Sequence, residues 1–226
     1  MNKPNIKTGS KPATTSAAKP TERPKGRYGN VSGAKPQRAS NYLRPGHYVV
    51  QVSAVKEDTA FKKGDFVAVE MRVVHVFADS TPGYDYARKA DTPCHSLGEE
   101  VSDIMMVSNV AFEQRLKAFV MNAGGLTEED FANEEYPGQL IEAALGDEQP
   151  IAGTLVELRC ETVVKKDARD KAEADLKNEN IYTRPNYVRT LAASELLELA
   201  QEAGTENTIR RLISNLDEMI EAESAE

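Results

Sequence analysis

Two stretches decide the fold: residues 47–56, HYVVQVSAVK, and residues 66–77, FVAVEMRVVHVF. Both are rich in β-branched residues and largely alternate, the mark of half-buried strands rather than of a helical repeat. In the first, Tyr48, Val50, Val52 and Ala54 fall on one face, with His47, Gln51 and Ser53 on the other. In the second, Val67, Val69, Met71, Val73, His75 and Phe77 point one way and read as core; Phe66, Ala68, Glu70 and Arg72 point the other way. Between them, Lys62-Lys63-Gly64-Asp65 reads as a hairpin turn, because Gly offers a positive-φ position.

Working outward, residues 78–93 form a long loop with aromatic and basic content, and residues 97–107 (LGEEVSDIMMV) a third strand with an irregular start. Asn109 then caps a helix to about Ala123, in which Phe112, Leu116, Phe119 and Val120 recur at helical spacing and Gly124-Gly125 supplies the stop. Thr127 with Asp130 forms a capping box for a short helix. A further turn or two of helix is expected over 138–145. Residues 151–166 are a fourth strand, with Val156, Leu158, Cys160 and Thr162 on the buried face and Leu155, Glu157, Arg159 and Glu161 opposite. A charged loop over 167–180, with room for a local helix, leads to a fifth strand over 181–191, bent at Pro185. Ser194 is expected to cap a helix through Ala203. Thr205 is expected to cap a single last helix over 206–222, with Ile209, Leu212, Ile213, Leu216 and Ile220 as its apolar stripe.

This order does not alternate strand with helix, so a doubly wound sheet is not expected. Three strands, a helix plugging one end and two closing strands describe a mainly β fold: a five-stranded OB-fold-like Greek-key barrel with an inserted helix and C-terminal helices. An SH3-like barrel or an α+β sandwich also accommodates five strands. Residues 1–40 carry few core-forming side chains and read as a disordered basic arm, 41–192 as the barrel domain, and 193–226 as C-terminal helices with an acidic tail.

The net charge of −8 hides a polarity: residues 1–38 carry +8 and residues 195–226 carry −7. The basic head fits either an electrostatic arm for nucleic acid or a solubilising tether. No apolar run is long enough for a membrane helix, the basic start lacks the apolar region of a secretory signal, and the two cysteines cannot build a disulfide scaffold. A cytoplasmic protein without membrane attachment is therefore expected.

The strand pair GHYVVQVSAVK and KKGDFVAVEMRVVHV, the segment LGEEVSDIMMVSNVAFEQRLKAFVMNAGGL, and the closing LVELRCETVVKK and IYTRPNYVRTL together resemble phage-encoded single-stranded DNA-binding proteins with an OB fold, over about residues 42–192. The resemblance implies single-stranded DNA binding in phage replication or recombination, and an acidic C-terminal region that recruits replication or recombination proteins. Many such tails finish with an aromatic residue, whereas this sequence finishes Glu-Ser-Ala-Glu.

Binding a single strand without sequence preference needs cations for phosphates and aromatic faces for bases. Three stretches interleave them. The first is Lys56, Phe61, Lys62, Lys63, Phe66 and Arg72 at the first hairpin. The second is Tyr84, Tyr86, Arg88 and Lys89 in the long loop. The third comprises Lys165, Lys166, Arg169 and Lys171, then Tyr182, Arg184, Tyr187 and Arg189, around the connection of the last two strands. An OB fold uses these elements for oligonucleotides, so the three are expected to converge on one groove. The bland reading makes Tyr182 and Tyr187 core or edge residues and the lysines solvated loop charges. The rival function is a protein-interaction module with an OB-like barrel.

No enzyme is expected. The glycine-rich phosphate loops and the GxSxG elbow are absent. Cys94-His95 lacks partners at metal-ligand spacing, and Asp65, Glu70, Glu99 and Glu100 read as solvated carboxylates rather than a magnesium site. No cofactor or metal is therefore expected. The last helix needs a partner for its stripe: docking on the barrel, or a second copy in a homodimer.

Overall fold

The structure, a computed structural model, describes residues 42–60, 64–86, 88–132 and 135–224. The expected arm and the hairpin residues Phe61, Lys62 and Lys63 lie outside the described residues. The two deciding stretches form β1 (Gly46–Ala60) and β2 (Gly64–Val76), paired antiparallel. They are followed by β3 (Gly83–Asp85), β4 (Ala90–Thr92), β5 (Glu100–Met106), α1 (Phe112–Gly124), α2 (Glu128–Ala132) and α3 (Glu135–Leu145). Then come β6 (Leu155–Val164), β7 (Ile181–Leu191), α4 (Ala193–Glu202), α5 (Glu206–Leu212) and α6 (Leu216–Glu223). The main sheet is antiparallel with order β5-β2-β1-β6-β7, and β3-β4 is a separate small hairpin inside the loop expected over 78–93.

Both faces of this sheet are covered. The inner face sends Tyr48, Val50 and Val52 of β1, Val67 to Val73 at alternate positions of β2, and Val156, Leu158 and Cys160 of β6 against Phe119, Val120 and Ala123 of α1. The outer face presents Val49, Val74, Leu155 and Leu191 to Leu196 and Ala200 of α4, Ile209 of α5, and Leu216 of α6. Thus the apolar stripe of the C-terminal segment docks on the chain's own sheet. It does so as two helices rather than the expected one. The chain breaks at Ile213, whose backbone leaves the helical region (φ −117°, ψ 90°), and restarts after Asn215, so Ile209, Ile213 and Leu216 are all buried.

Two bulges explain where the simple alternation fails. Val49 faces His75 and Val50 faces Val73, so Val74 is an extra residue on β2. An extra residue reverses which side chains face inward. Val74 and Phe77 therefore pack on the outer cluster, and His75 meets the Phe77 ring edge-on (4.9 Å), instead of both joining the inner core as expected. On β1, Ser53 is the extra residue between the Val52–Met71 and Ala54–Glu70 pairs, which puts Val55 rather than Ala54 in the core. Thr162 is exposed, past the end of the covered part of β6. The helix starts also differ. Ala192 occupies the position expected of Ser194, its N–H donating to Glu195 Oε2 (3.2 Å), while Ser194 Oγ donates to Glu223 of α6 (3.1 Å). The Thr127–Asp130 box forms as expected, with Thr127 N–H donating to Asp130 (2.7 Å) and Asp130 N–H to Thr127 Oγ1 (3.3 Å).

At the start of β1, Gly46 adopts φ +151°, and a Cβ there would lie 2.2 Å from the Tyr48 hydroxyl. That hydroxyl donates to the Pro45 carbonyl (2.7 Å). The expected closed barrel is not formed: β5 and β7 are the two edges of the sheet, without a backbone ladder between them among the described residues. Side chains bridge the edges instead. Tyr187 of β7 donates its hydroxyl to Asp103 Oδ2 of β5 (2.8 Å), Arg115 of α1 pairs with Asp103 Oδ1, and the Phe119 ring packs edge-on against Tyr187 (5.1 Å).

Candidate nucleic-acid interface

The open edge between β5 and β7 is a cleft of about 1260 Å³. Asp103 and Arg115 lie in its lining, with Ile104 and Met106 from β5, Ile181, Tyr182 and Pro185 from β7, and Tyr42 and Lys165 beside them. A second cleft of about 500 Å³ shares Tyr42, Asn178, Ile181, Tyr182 and Thr183 with the first and extends it to Tyr84 and Asp85 of the small hairpin. Three exposed tyrosines therefore stand along one continuous depression: Tyr42 (66% exposed), Tyr84 (41%) and Tyr182 (47%).

Each tyrosine is positioned by specific contacts. Tyr42 bridges in parallel to Ser102 of β5, and the next residue, Leu43, is buried in the inner core. Arg44 then anchors the segment: its backbone N–H donates to His95 Nε2 (2.8 Å), and its guanidinium donates to the Pro93 carbonyl (3.1 Å) and pairs with Glu99. Burial holds His95 below the usual histidine range, which keeps Nε2 free to accept. Tyr84 packs edge-on against Tyr86 (4.9 Å). The hairpin carrying both is fastened to the β6–β7 connection by Asn178, which accepts the Tyr86 N–H (2.7 Å) and donates to Asp85 (2.7 Å). Tyr182 lies on the exposed face of the start of β7, where alternation sends Tyr182, Arg184 and Asn186 outward.

The residues expected to bind sort into different places. Tyr84, Tyr182 and Lys165 meet at the cleft; Tyr86 is half-buried behind Tyr84, and Lys89 stands exposed in the hairpin turn at φ +53°. Lys166, in a short 3-10 turn after β6, and Arg169 and Lys171 just beyond it are exposed and do not line the cleft. Tyr187 is a correction: it is 4% exposed, and burial followed by the Asp103 charge pushes its hydroxyl well above the usual phenol range. It is a core residue with no face for a base. Arg72 and Arg189 lie away from the cleft lining, each bonded to the C-terminal helices. Arg72 donates to the Leu212 carbonyl of α5 (3.3 Å) and lies 3.6 Å from Glu100; Arg189 bonds Glu157 (3.1 Å) and Glu195 of α4 (2.9 Å). Both tie the sheet to the C-terminal helices. Lys56 pairs with Glu70 (2.6 Å), Arg184 with Glu161 (2.8 Å) and Arg88 with Asp85 (3.6 Å). Lys56 and half-buried Phe66, the other described members of the first expected patch, line neither cleft; Phe61, Lys62 and Lys63 lie outside the described residues.

Tyr42 and Arg115 are the cleft residues that the sequence reading missed. Tyr42 sits just before the first strand, isolated from any basic run, and Arg115 reads as one charge on an amphipathic helix. Among the described residues no group of three or more His, Cys, Asp or Glu side chains is placed to hold a metal ion. Cys94 and Cys160 are unpaired, and burial pushes the Cys160 thiol far up. No helix among the described residues is long and apolar enough to cross a membrane. Compared with known proteins, the chain matches no family model and no curated sequence.

Proposed function

We propose that this chain binds single-stranded DNA without sequence preference, in DNA replication or recombination, through the cleft between β5 and β7. The observation that carries this reading is the alignment of Tyr42, Tyr84 and Tyr182, exposed and far apart in sequence, along one depression. An aromatic face that stacks one base contributes about 1–3 kcal/mol and tolerates any base. Lys165 supplies a phosphate contact at the cleft, and it has no ion-pair partner among the described residues. The strand order β5-β2-β1-β6-β7, with α1 between β5 and β6, supports an OB-fold reading in which the last closing ladder is replaced by side chains. Most other cations near the sheet are occupied by carboxylates, so stacking leads and electrostatics follows.

Fluorescence anisotropy with an oligo-dT tests the proposal. Binding at low salt is expected, weakening by about 0.7 in log affinity per log salt for each phosphate contact. Absence of binding at low salt, or binding indifferent to salt, would remove it. The protein-interaction alternative predicts recovery of a protein partner after nuclease treatment from a chain that does not bind the oligonucleotide.

A further inference from the structure

We infer that Arg115 is a phosphate-binding residue on the floor of the cleft, so that a bound strand lies with its backbone inward and its bases outward on Tyr42 and Tyr182. This deepens the single-strand reading and rests on it. The depth ordering comes from exposure: Tyr42 and Tyr182 are 66% and 47% exposed, whereas the Arg115 side chain is 28% exposed and that of Asp103 6%. The tyrosines therefore form the rim, and the ion pair forms the floor.

The floor is a built site. Asp103 is held from below by the Tyr187 hydroxyl, and Tyr187 is itself locked against Phe119. The other oxygen of Asp103 accepts from Arg115 through one guanidinium nitrogen. A guanidinium carries five N–H donors in a planar fork suited to two oxygens of a phosphate. Asp103 occupies one side of the fork and fixes its orientation, and Arg115 lines the cleft. Asp103 and Tyr187 thus act as positioning residues, and Arg115 as the group that touches ligand. Backbone-inward binding leaves base edges unread, in agreement with a sequence-tolerant platform.

The obvious variant, Arg115→Gln, leaves Asp103 buried and unpaired and is prone to unfold. The test therefore compares Asp103→Asn with the double variant Asp103→Asn/Arg115→Gln, which replaces the charged pair by a neutral one of similar shape. Asp103→Asn keeps a side-chain oxygen for the fork while removing the buried charge, and so serves as the reference for the double variant. The double variant should bind roughly tenfold more weakly than Asp103→Asn, with a salt slope shallower by about 0.7. Arg115→Lys keeps the charge but loses the fork; it should weaken binding while leaving the slope nearly unchanged. Equal affinity and slope for Asp103→Asn and the double variant would overturn the inference and leave the single-strand reading standing. Failure of the unaltered chain to bind would overturn both.

Discussion

The outer face of the sheet and the β5–β7 cleft are both places where the sheet could have stayed open, and they are completed differently. The outer face is sealed by α4, α5 and α6 with aliphatic side chains, and its nearby arginines, Arg72 and Arg189, reach across to bond the helices. Across the cleft a tyrosine hydroxyl joins β7 to β5, an ion pair ties β5 to α1, and the rim keeps aromatic rings in solvent. A cation or ring near a sheet therefore has no fixed meaning. Where apolar packing completes the contact, the cation fastens the fold; where the ladder stops, aromatic rings stay exposed.

The contrast breaks most sharply at Leu196, fully buried under the outer face. Leu196→Ala should lower stability by about 2–5 kcal/mol in chemical denaturation, with oligo-dT affinity of the folded protein unchanged; a matching loss of affinity would show that the two regions are coupled. Next, Tyr182→Ala should weaken oligo-dT binding by about 1–3 kcal/mol while stability stays within about 0.5 kcal/mol. An unaltered affinity would mean that the rim is not a stacking platform. Tyr187→Phe removes the hydroxyl that reaches the buried Asp103 carboxylate and should reduce stability by about 1.5–3 kcal/mol, read from the denaturation midpoint.

Acidification offers a milder probe. Burial, with the His47 charge adding to it, holds His75 below the usual histidine range, and burial does the same for His95. Below pH about 6.5 the unfolded chain therefore takes up protons that the folded chain resists, so the stability present at neutral pH is lost as pH falls. Denaturation at pH 7.5 and 5.5 should show the drop, and replacing His75 with Gln should shrink it. The smallest effect is expected from Arg184→Gln. Its exposed pair with Glu161 contributes about 0–1 kcal/mol, and Arg184 does not line the cleft, so both stability and affinity should hardly move.

The parts of the fold visible in the sequence are those governed by local periodicity. Alternation located β1, β2, β6 and β7, and capping chemistry located the Thr127 box. What alternation cannot register is a change of phase: nothing around Val74 or Ser53 announces an extra residue, yet each reverses which side chains face the core. The same limit governs the cleft. Tyr182 and Tyr187 look alike in a strand carrying arginines, but β7 pairing puts one in solvent and the other against Phe119. Tyr42 joins the cleft through non-local contacts, its bridge to Ser102 and the anchoring of Arg44 by His95 and Glu99, which no local pattern announces. Arg189 and Lys165 are equivalent charges until the helix carrying Glu195 folds back on one of them.

Gly46 carries a consequence for how this sequence can vary. The Tyr48 ring occupies the volume where any other residue at 46 would place its first carbon, and the backbone there already sits where side chains are disfavoured. Even alanine would have to evict an aromatic ring from the centre of the inner core. In a saturation library, position 46 should tolerate almost nothing although it contacts no proposed ligand, so intolerance there would report on architecture alone.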